Sequence, residues 1–282
     1  MRSRIFLTFA ILLMAFTQAG AKSPKGHLVI IGGGGTTPAI KQAMVDLAGG
    51  KDAVLLAITS AGGKGGAKSG ESFVKTYGDM GVADVRWAQP TREQSEDPEY
   101  VENLLKGVTG IFFTGGQQSR IIKAHRGTLL HRKMMEMYEN GAMISGSSAG
   151  AAMMSDPMIT GGHRDTTEKE FNRIAENRVE TSGGMGFIKG AVIDQHFIKR
   201  SRENRLFSLA LDMPQYTYFG IDEATAIVVS KGCEVKVLGK SNVMVIEPVA
   251  KAVKTNDKGD YGCKNMKVSI LVEGDTYRIR TK

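Results

Sequence analysis

The chain has 282 residues, 41 % of them apolar and 23 % charged, with 35 glycines and a net charge of +8 from 37 basic and 29 acidic side chains. Once a leader is set aside, roughly 260 residues remain, enough for one large α/β domain or a domain with an appendage. The basic residues form no like-charge block, and zinc-finger spacing, aromatic-basic stacking motifs and recognition-helix signatures are all missing, so the sequence argues against a nucleic-acid-binding class and for a basic surface in water.

Arg2 and Arg4 precede an uncharged apolar stretch, Ile5 to Phe16, and Ala19-Gly20-Ala21 fits a small-x-small cleavage pattern. This is the layout of a signal peptide over residues 1–21. The stretch is short for a membrane span, which needs about 20 apolar residues. No cysteine lies near Ala21 to carry a lipid. The expectation is an exported protein, periplasmic or extracellular, with no stable membrane span. Its mature chain starts near Lys22 and forms a single domain over 22–282, with a β-rich C-terminal segment from about residue 233.

His27 to Ile31 reads as a buried strand ending in the glycine run Gly32-Gly33-Gly34-Gly35, and Pro38 to Leu47 as a helix. Ala53 to Ile58 is a second apolar run, followed by a Gly/Lys loop over Ser60 to Gly70. A helix over Ser72 to Met80, a strand over Val82 to Trp87, a helix over Pro98 to Leu105 and a strand over Gly110 to Thr114 come next. One helical pattern covers Arg120 to Met137, with His125 and His131 expected at its surface, and Ala142 to Ser145 is a strand. Uniformly apolar strands alternating with helices predict an α/β fold, doubly wound, with a mostly parallel sheet and helices on both faces. Residues 156–182 break the rhythm as a charged insertion or flap. Gly190 to Asp194 resumes the sheet, Ser201 to Leu211 is a helix, and Tyr216 to Ile221 and Thr225 to Val229 are strands. The remainder reads as short β segments, with a hairpin over Ile270 to Ile279 turning at Gly274-Asp275. Cys233 and Cys263 suit either a disulfide of an exported protein or two buried thiols.

Two glycine loops resemble phosphate cradles but fail their spacing. In IGGGGTTP, Thr37 stands where the third glycine of G-x-G-x-x-G belongs, and GGKGGAKSG lacks the G-x-x-x-x-G-K-[ST] pattern. Both read better as tight strand-to-helix loops, although either could bind an anion through backbone N–H groups.

Gly146-Ser147-Ser148-Ala149-Gly150 matches the G-x-S-x-G elbow between a strand and a helix. Such a turn forces its middle residue into a sparsely allowed backbone region and lifts the Ser148 oxygen above the sheet's carboxyl edge. The N–H of Ala149 then faces the same spot and can stabilise an oxyanion. A serine needs a base. Of five histidines, His27 starts a strand and so lies at the wrong edge, and His163 sits in the charged insertion. His196 follows the strand GAVID by one residue, at the edge where ligands of open α/β sheets gather. Glu223, isolated between two apolar runs, is the candidate to orient it, because burying a carboxylate without a partner is costly. Asp222 and Asp194 are its rivals. The order serine, histidine, acid differs from that of the α/β-hydrolases, so the chain carries a separate solution to the same geometry.

The stretches FFTGGQQSRI, GSSAGA, DQHFIKRSRENRL and GIDEATAIVV together resemble the cyanophycinases. These are serine peptidases related to aspartyl dipeptidase and to class I glutamine amidotransferase-like folds. The similarity covers most of residues 26–248, with the four motifs in the family's order. Ser147 stands where the family usually has threonine. The resemblance implies Ser148 as nucleophile, His196 as base, Glu223 as third member, and Gly116 beside Ala149 as the second oxyanion donor. It also implies a pocket of Gln118, Asp194, Gln195, Arg200, Arg202 and Arg205, and cyanophycin as the polymeric partner. Cyanophycin is a poly-aspartate with arginine on each side-chain carboxyl, cleaved to β-aspartyl-arginine. No metal or organic cofactor is implied, and the assembly, a homodimer among the options, is left open.

The residues point the same way on one matter. Three arginines within positions 200–205 beside a histidine suit a bound anion, since arginine forks match carboxylates. The alternatives are another β-aspartyl or acidic-residue peptidase on the same scaffold, and a catalytically silent binding protein. A relative that hydrolyses glutamine amide would carry cysteine at the elbow, where this chain has Ser148.

Overall fold

The computed structural model describes residues 23–163, 171–247 and 253–280. The expected signal peptide, residues 1–21, lies outside them. Eight of the described strands form one sheet. Its parallel half consists of β1 (His27–Ile31), β2 (Val54–Ile58), β3 (Asp84–Ala88), β4 (Gly110–Phe113) and β5 (Met143–Ser147). β1, β2 and β4 are apolar at nearly every position because both faces are covered, while the edge strand β3 is half-buried and carries Asp84 and Arg86. Along β1 the side chains alternate: Val29 and Ile31 pack on one side with α1 (Pro38–Leu47) and α2 (Gly66–Asp79) through Met44 and Phe73. Leu28 and Ile30 pack on the other side. That side holds α3 (Arg92–Glu96), α4 (Pro98–Leu105), α5 (Gln118–His125), α6 (Leu129–Asn140) and α7 (Ala149–Ala152), with Val101, Ile121 and Met134 in the shared core.

The charged segment at 156–182 contributes a hairpin, β6 (Met158–His163) with β7 (Val179–Ser182). Beyond it the chain departs from the expected order. β8 (Ala191–Gln195) does not resume the main sheet. It starts a second sheet, paired in parallel with β9 (Thr217–Ile221) after the crossover helix α8 (Glu203–Asp212). One face of this second sheet, with Ile193 and Phe219, joins the core under the main sheet. The other face, with Val192 and Tyr218, is covered by Leu206 and Leu209 of α8. β8 is buried on both faces in either arrangement, so its composition carries no mark of which sheet it enters.

The C-terminal strands stitch the two sheets together. β10 (Thr225–Ser230) and β11 (Glu234–Gly239) extend the main sheet antiparallel from β1, while β12 (Val243–Ile246) crosses back to pair with β9. β13 (Val253–Thr255) and β14 (Tyr261–Cys263) form a small separate pair. The hairpin expected over 270–279 does not form. β15 (Val268–Leu271) pairs with β12 and β16 (Thr276–Arg278) pairs with β11, on different sheets. The turn itself is present, with Asp275 N–H donating to the Val272 carbonyl at 3.0 Å. Each strand leaving it meets a bare edge of a different sheet. The strand order is therefore β16-β11-β10-β1-β5-β4-β2-β3 in the main sheet and β15-β12-β9-β8 in the second. Cys233 and Cys263 are free thiols. No helix among the described residues is long and apolar enough to cross a membrane.

The helical pattern over 120–137 is two helices, α5 and α6. Gly127, at φ 77°, breaks the run, and the Thr128 side chain caps α6 by accepting from the N–H of His131. His125 is fully buried rather than at the surface. Its Nε2 is 2.8 Å from Ser60 Oγ and its Nδ1 2.9 Å from Ser95 Oγ, so the ring ties the turn after β2 to α3. Burial, with smaller repulsion from His131 and Arg92, pushes its pKa down to about 4. The ring is thus neutral in the fold but takes up a proton when unfolded below about pH 6.5. The unfolded state then binds more protons, so stability falls as pH drops from 6.5 toward 4. Urea unfolding at pH 7 and pH 5 should show the unaltered protein losing about 2 kcal/mol more than His125→Gln across that interval. Equal losses in the two proteins would refute a neutral buried ring.

Candidate active site

The elbow is built as its sequence demands. Ser148 sits between β5 and α7 at φ 56° and ψ −109°, a strained conformation for a residue with a side chain. The turn is tight enough that a Cβ on Gly146 would collide with the carbonyl of Gly150. That contact explains the small residues flanking the serine.

Three chain segments meet at the carboxyl end of β1. Ser148 N–H donates to the Ile31 carbonyl at 3.0 Å, His196 N–H to the Gly32 carbonyl at 2.7 Å, and Ala224 N–H to the Gly33 carbonyl at 2.8 Å. His196, at φ 48°, follows β8 of the second sheet, and Glu223 lies where the chain crosses from β9 into β10 of the main sheet. The side chains then line up. His196 Nε2 is 2.9 Å from Ser148 Oγ, and His196 Nδ1 is 2.6 Å from Glu223 Oε1. With its Nδ1–H donated to the carboxylate, the imidazole leaves Nε2 to accept the serine proton.

The glycine run read from sequence as a tight loop has a further function. A Cβ on Gly33 would lie inside the His196 ring, and one on Gly34 would overlap the Glu223 side chain. Bare backbone is what lets the histidine and the acid come this close to β1.

The rival acids are engaged elsewhere. Asp222 accepts from Lys199 N–H at 2.9 Å and from the Ser241 hydroxyl at 2.7 Å. Burial pushes its pKa up, but these and neighbouring backbone hydrogen bonds outweigh that and hold it below the usual carboxylate range. Asp194 is almost completely buried and forms a two-pronged ion pair with Arg205, which is equally buried. Ser60 and His125 make a second serine–histidine contact, but the other ring nitrogen of His125 meets a serine, not a carboxylate.

Gly116 and Ala149 flank the elbow, and neither N–H donates to a protein acceptor among the described residues. Gly115 is close as well, since a Cβ there would sit 3.9 Å from Ser148 Oγ. Of the expected pocket residues, Arg200, Arg202 and Arg205 line a cavity of about 590 Å³, together with Phe171, Asn172 and the carboxylate of Glu203. Arg202 Nη1 donates to the Gln195 carbonyl at 2.5 Å and lies 3.7 Å from Asp194. Burial, with repulsion from Arg205, pushes its pKa down to about 10. Gln118 turns toward β6, its amide donating to the carbonyls of Ile159 and Thr160. The Gln195 Oε1 is buried without a hydrogen-bond partner among the described residues.

Residues 28–237 match the family model described as Peptidase family S51. The chain belongs to this family. It is a serine peptidase, a hydrolase. It is 32 % identical over 240 residues to the cyanophycinase of Geminocystis herdmanii (strain PCC 6308), covering 83 % of this chain and 85 % of that protein. It is 29 % identical over 266 residues to the cyanophycinase of Synechococcus elongatus, covering 91 % and 80 %. In fold it is similar to the crystal structure of a peptidase from an acI-B1 Actinobacterium, with a TM-score of 0.63, 21 % identity, and coverage of 91 % of this chain and 98 % of that one.

The close packing at Gly33 sets an expectation that the open surroundings of Gly35 do not share. Both glycines have positive φ, so an alanine at either costs backbone strain, but only Gly35 has nothing within 4 Å of a new Cβ. Gly33→Ala should lower hydrolysis of a small activated ester by on the order of 100-fold, the cost of displacing a reacting group by about an ångström. Gly35→Ala should lose far less activity, and thermal melting should show Gly33→Ala the more destabilised, because it alone adds a collision to the backbone strain. Similar catalytic losses in both variants would count against the close packing as the cause.

Proposed function

We propose that the protein is an exported serine exopeptidase that hydrolyses cyanophycin to β-aspartyl-arginine through Ser148, His196 and Glu223. The observation that carries this reading is the hydrogen-bonded run from Glu223 through His196 to Ser148 at the edge of a parallel sheet. Ser148 Oγ attacks the scissile carbonyl while His196 Nε2 takes its proton. Glu223 stabilises the imidazolium that forms. The N–H groups of Gly116 and Ala149 bind the oxyanion. Collapse of the intermediate expels the amine, which receives the proton from His196, and water then releases the acyl group by the same route.

The substrate reading is supported by relatives named cyanophycinase over most of their length, and by the arginine-lined cavity. Arg200 and Arg202 suit carboxylates of the polymer. Both Asp194 oxygens are engaged by Arg205, and Glu203 is the carboxylate that lines the cavity and can face the substrate guanidinium. Asp194 and Arg205 then act by holding Arg202 and the end of β8 in place, and Gln118 by fixing β6 against α5. Export rests on the leader sequence, and N-terminal sequencing of protein from its host should begin near Lys22; an intact Met1 on cytosolic protein would refute it.

Ser148→Ala should abolish nearly all turnover, a loss on the order of 10⁴-fold or more, with folding intact. Glu223→Gln should cost less, but clearly. Near-native activity of the serine variant would end this assignment, and a larger loss in Asp222→Asn than in Glu223→Gln would move the acid.

The substrate is tested by incubating the purified protein with cyanophycin and identifying products by mass spectrometry. Release of β-aspartyl-arginine is expected, with little cleavage of casein and poor cleavage of poly-aspartate lacking arginine. Rapid casein digestion with inert cyanophycin would leave only the reaction class standing.

A further inference from the structure

A second cavity, of about 440 Å³, opens on the opposite face of the main sheet from the arginine-lined one. Its wall includes Phe73, Tyr77 and Phe112, which belong to the core between α1, α2 and the sheet. The arginine-lined cavity lies instead with α8 and β6. The second cavity reaches the reaction centre, because Gly115 and Ser147 line it and Gly115 closely approaches Ser148. Thr36, just beyond the glycine run that packs on His196 and Glu223, lines it too.

The chemistry of the lining has one sign. Lys41 and Lys68 face it with Ser72 and Thr76, and no carboxylate is present. Neither lysine has a salt-bridge partner among the described residues. Thr114, 4 % exposed, also lines the cavity, and its hydroxyl has no hydrogen-bond partner among the described residues. A buried hydroxyl left unpaired is costly, and a ligand oxygen would relieve that cost. Two unmatched ammonium groups and several hydroxyls are a site for an oxygen anion. Gly115 and Ser147 line the same cavity, so an anion held here lies beside the elbow.

We infer that this cavity is an anion-binding subsite that receives carboxylates of the substrate unit on the side of the scissile bond away from the Arg200–Arg202 cavity. The inference rests on the cyanophycin reading for the identity of the unit. Each β-aspartyl-arginine unit carries the free α-carboxylate of its arginine, and a terminal unit carries a second on aspartate. The two cavities thus hold successive units of a polymer that bears a carboxylate on each, with Ser148 at the sheet edge between them. An α-linked peptide with neutral side chains offers nothing for Lys41 and Lys68 to bind.

The test is inhibition of p-nitrophenyl acetate hydrolysis by free β-aspartyl-arginine and by its diamide, which lacks both carboxylates. The unaltered protein should be inhibited at least tenfold more strongly by the acid than by the diamide. Lys41→Gln/Lys68→Gln should raise the inhibition constant of the acid at least tenfold and shrink that preference to what the Arg200–Arg202 cavity alone provides, while Lys41→Arg/Lys68→Arg should restore most of it. Thr114→Val, which keeps the buried shape, should weaken inhibition by the acid several-fold. An acid that fails to inhibit, or inhibition constants within twofold across the lysine variants, would overturn the subsite. Lysine-dependent inhibition by a protein that leaves cyanophycin intact would keep the subsite and remove the polymer. Cyanophycin cleavage with unmoved inhibition constants would do the reverse.

Discussion

Three consecutive carbonyls, those of Ile31, Gly32 and Gly33, hold the backbone of each segment that brings Ser148, His196 and Glu223 together. Ser148, His196 and Ala224 all have positive φ, and each such conformation costs on the order of 1–3 kcal/mol for a residue with a side chain. A net gain of about 0.5–1.5 kcal/mol per hydrogen bond only partly offsets this, so the packing around the site must supply the rest. What the carbonyls contribute is position. Serine, histidine and acid arrive from three directions, and one short stretch of backbone fixes all three relative to each other.

That stretch can do so because two sheets converge on it. The main sheet delivers the serine from β5, beside β1. The second sheet delivers the histidine from β8, and the acid sits in the passage from β9 to β10, where the chain changes sheets. The order serine, histidine, acid along the sequence follows from this topology. A carboxylate in the passage between sheets need not fit either hydrophobic layer, and Glu223 keeps partial access to solvent while Asp194, at the end of β8, has to be neutralised by Arg205.

Much of this was legible in the sequence. A serine between glycines at a strand-to-helix corner has few purely structural explanations, and His196 alone among the histidines ends an apolar strand. The misses have physical causes. The run at Gly32 to Gly35 departs from nucleotide-loop spacings, and no spacing pattern encodes a glycine whose missing Cβ makes room for a distant histidine. His125 is one of several polar residues on α5, and only the tertiary partners Ser60 and Ser95 make its burial tolerable. The turn at Gly274-Asp275 has the right local chemistry, but edge pairing with β11 and β12 overrode the hairpin. The charges of Asp194 and Arg205 could be read from the sequence, but their mutual pairing could not.

The convergence on β1 also orders events in the making of the molecule. Residues 31–33 are synthesised before all three segments they bind, and the last backbone group they await is that of Ala224. Contacts so far apart in sequence form late, after loop-closure entropy has been overcome. A partly synthesised or partly folded chain therefore holds a serine without its histidine, or a histidine without its carboxylate. The hydrogen-bonded run from Glu223 through His196 to Ser148 is therefore complete only once the second sheet has docked on the main one.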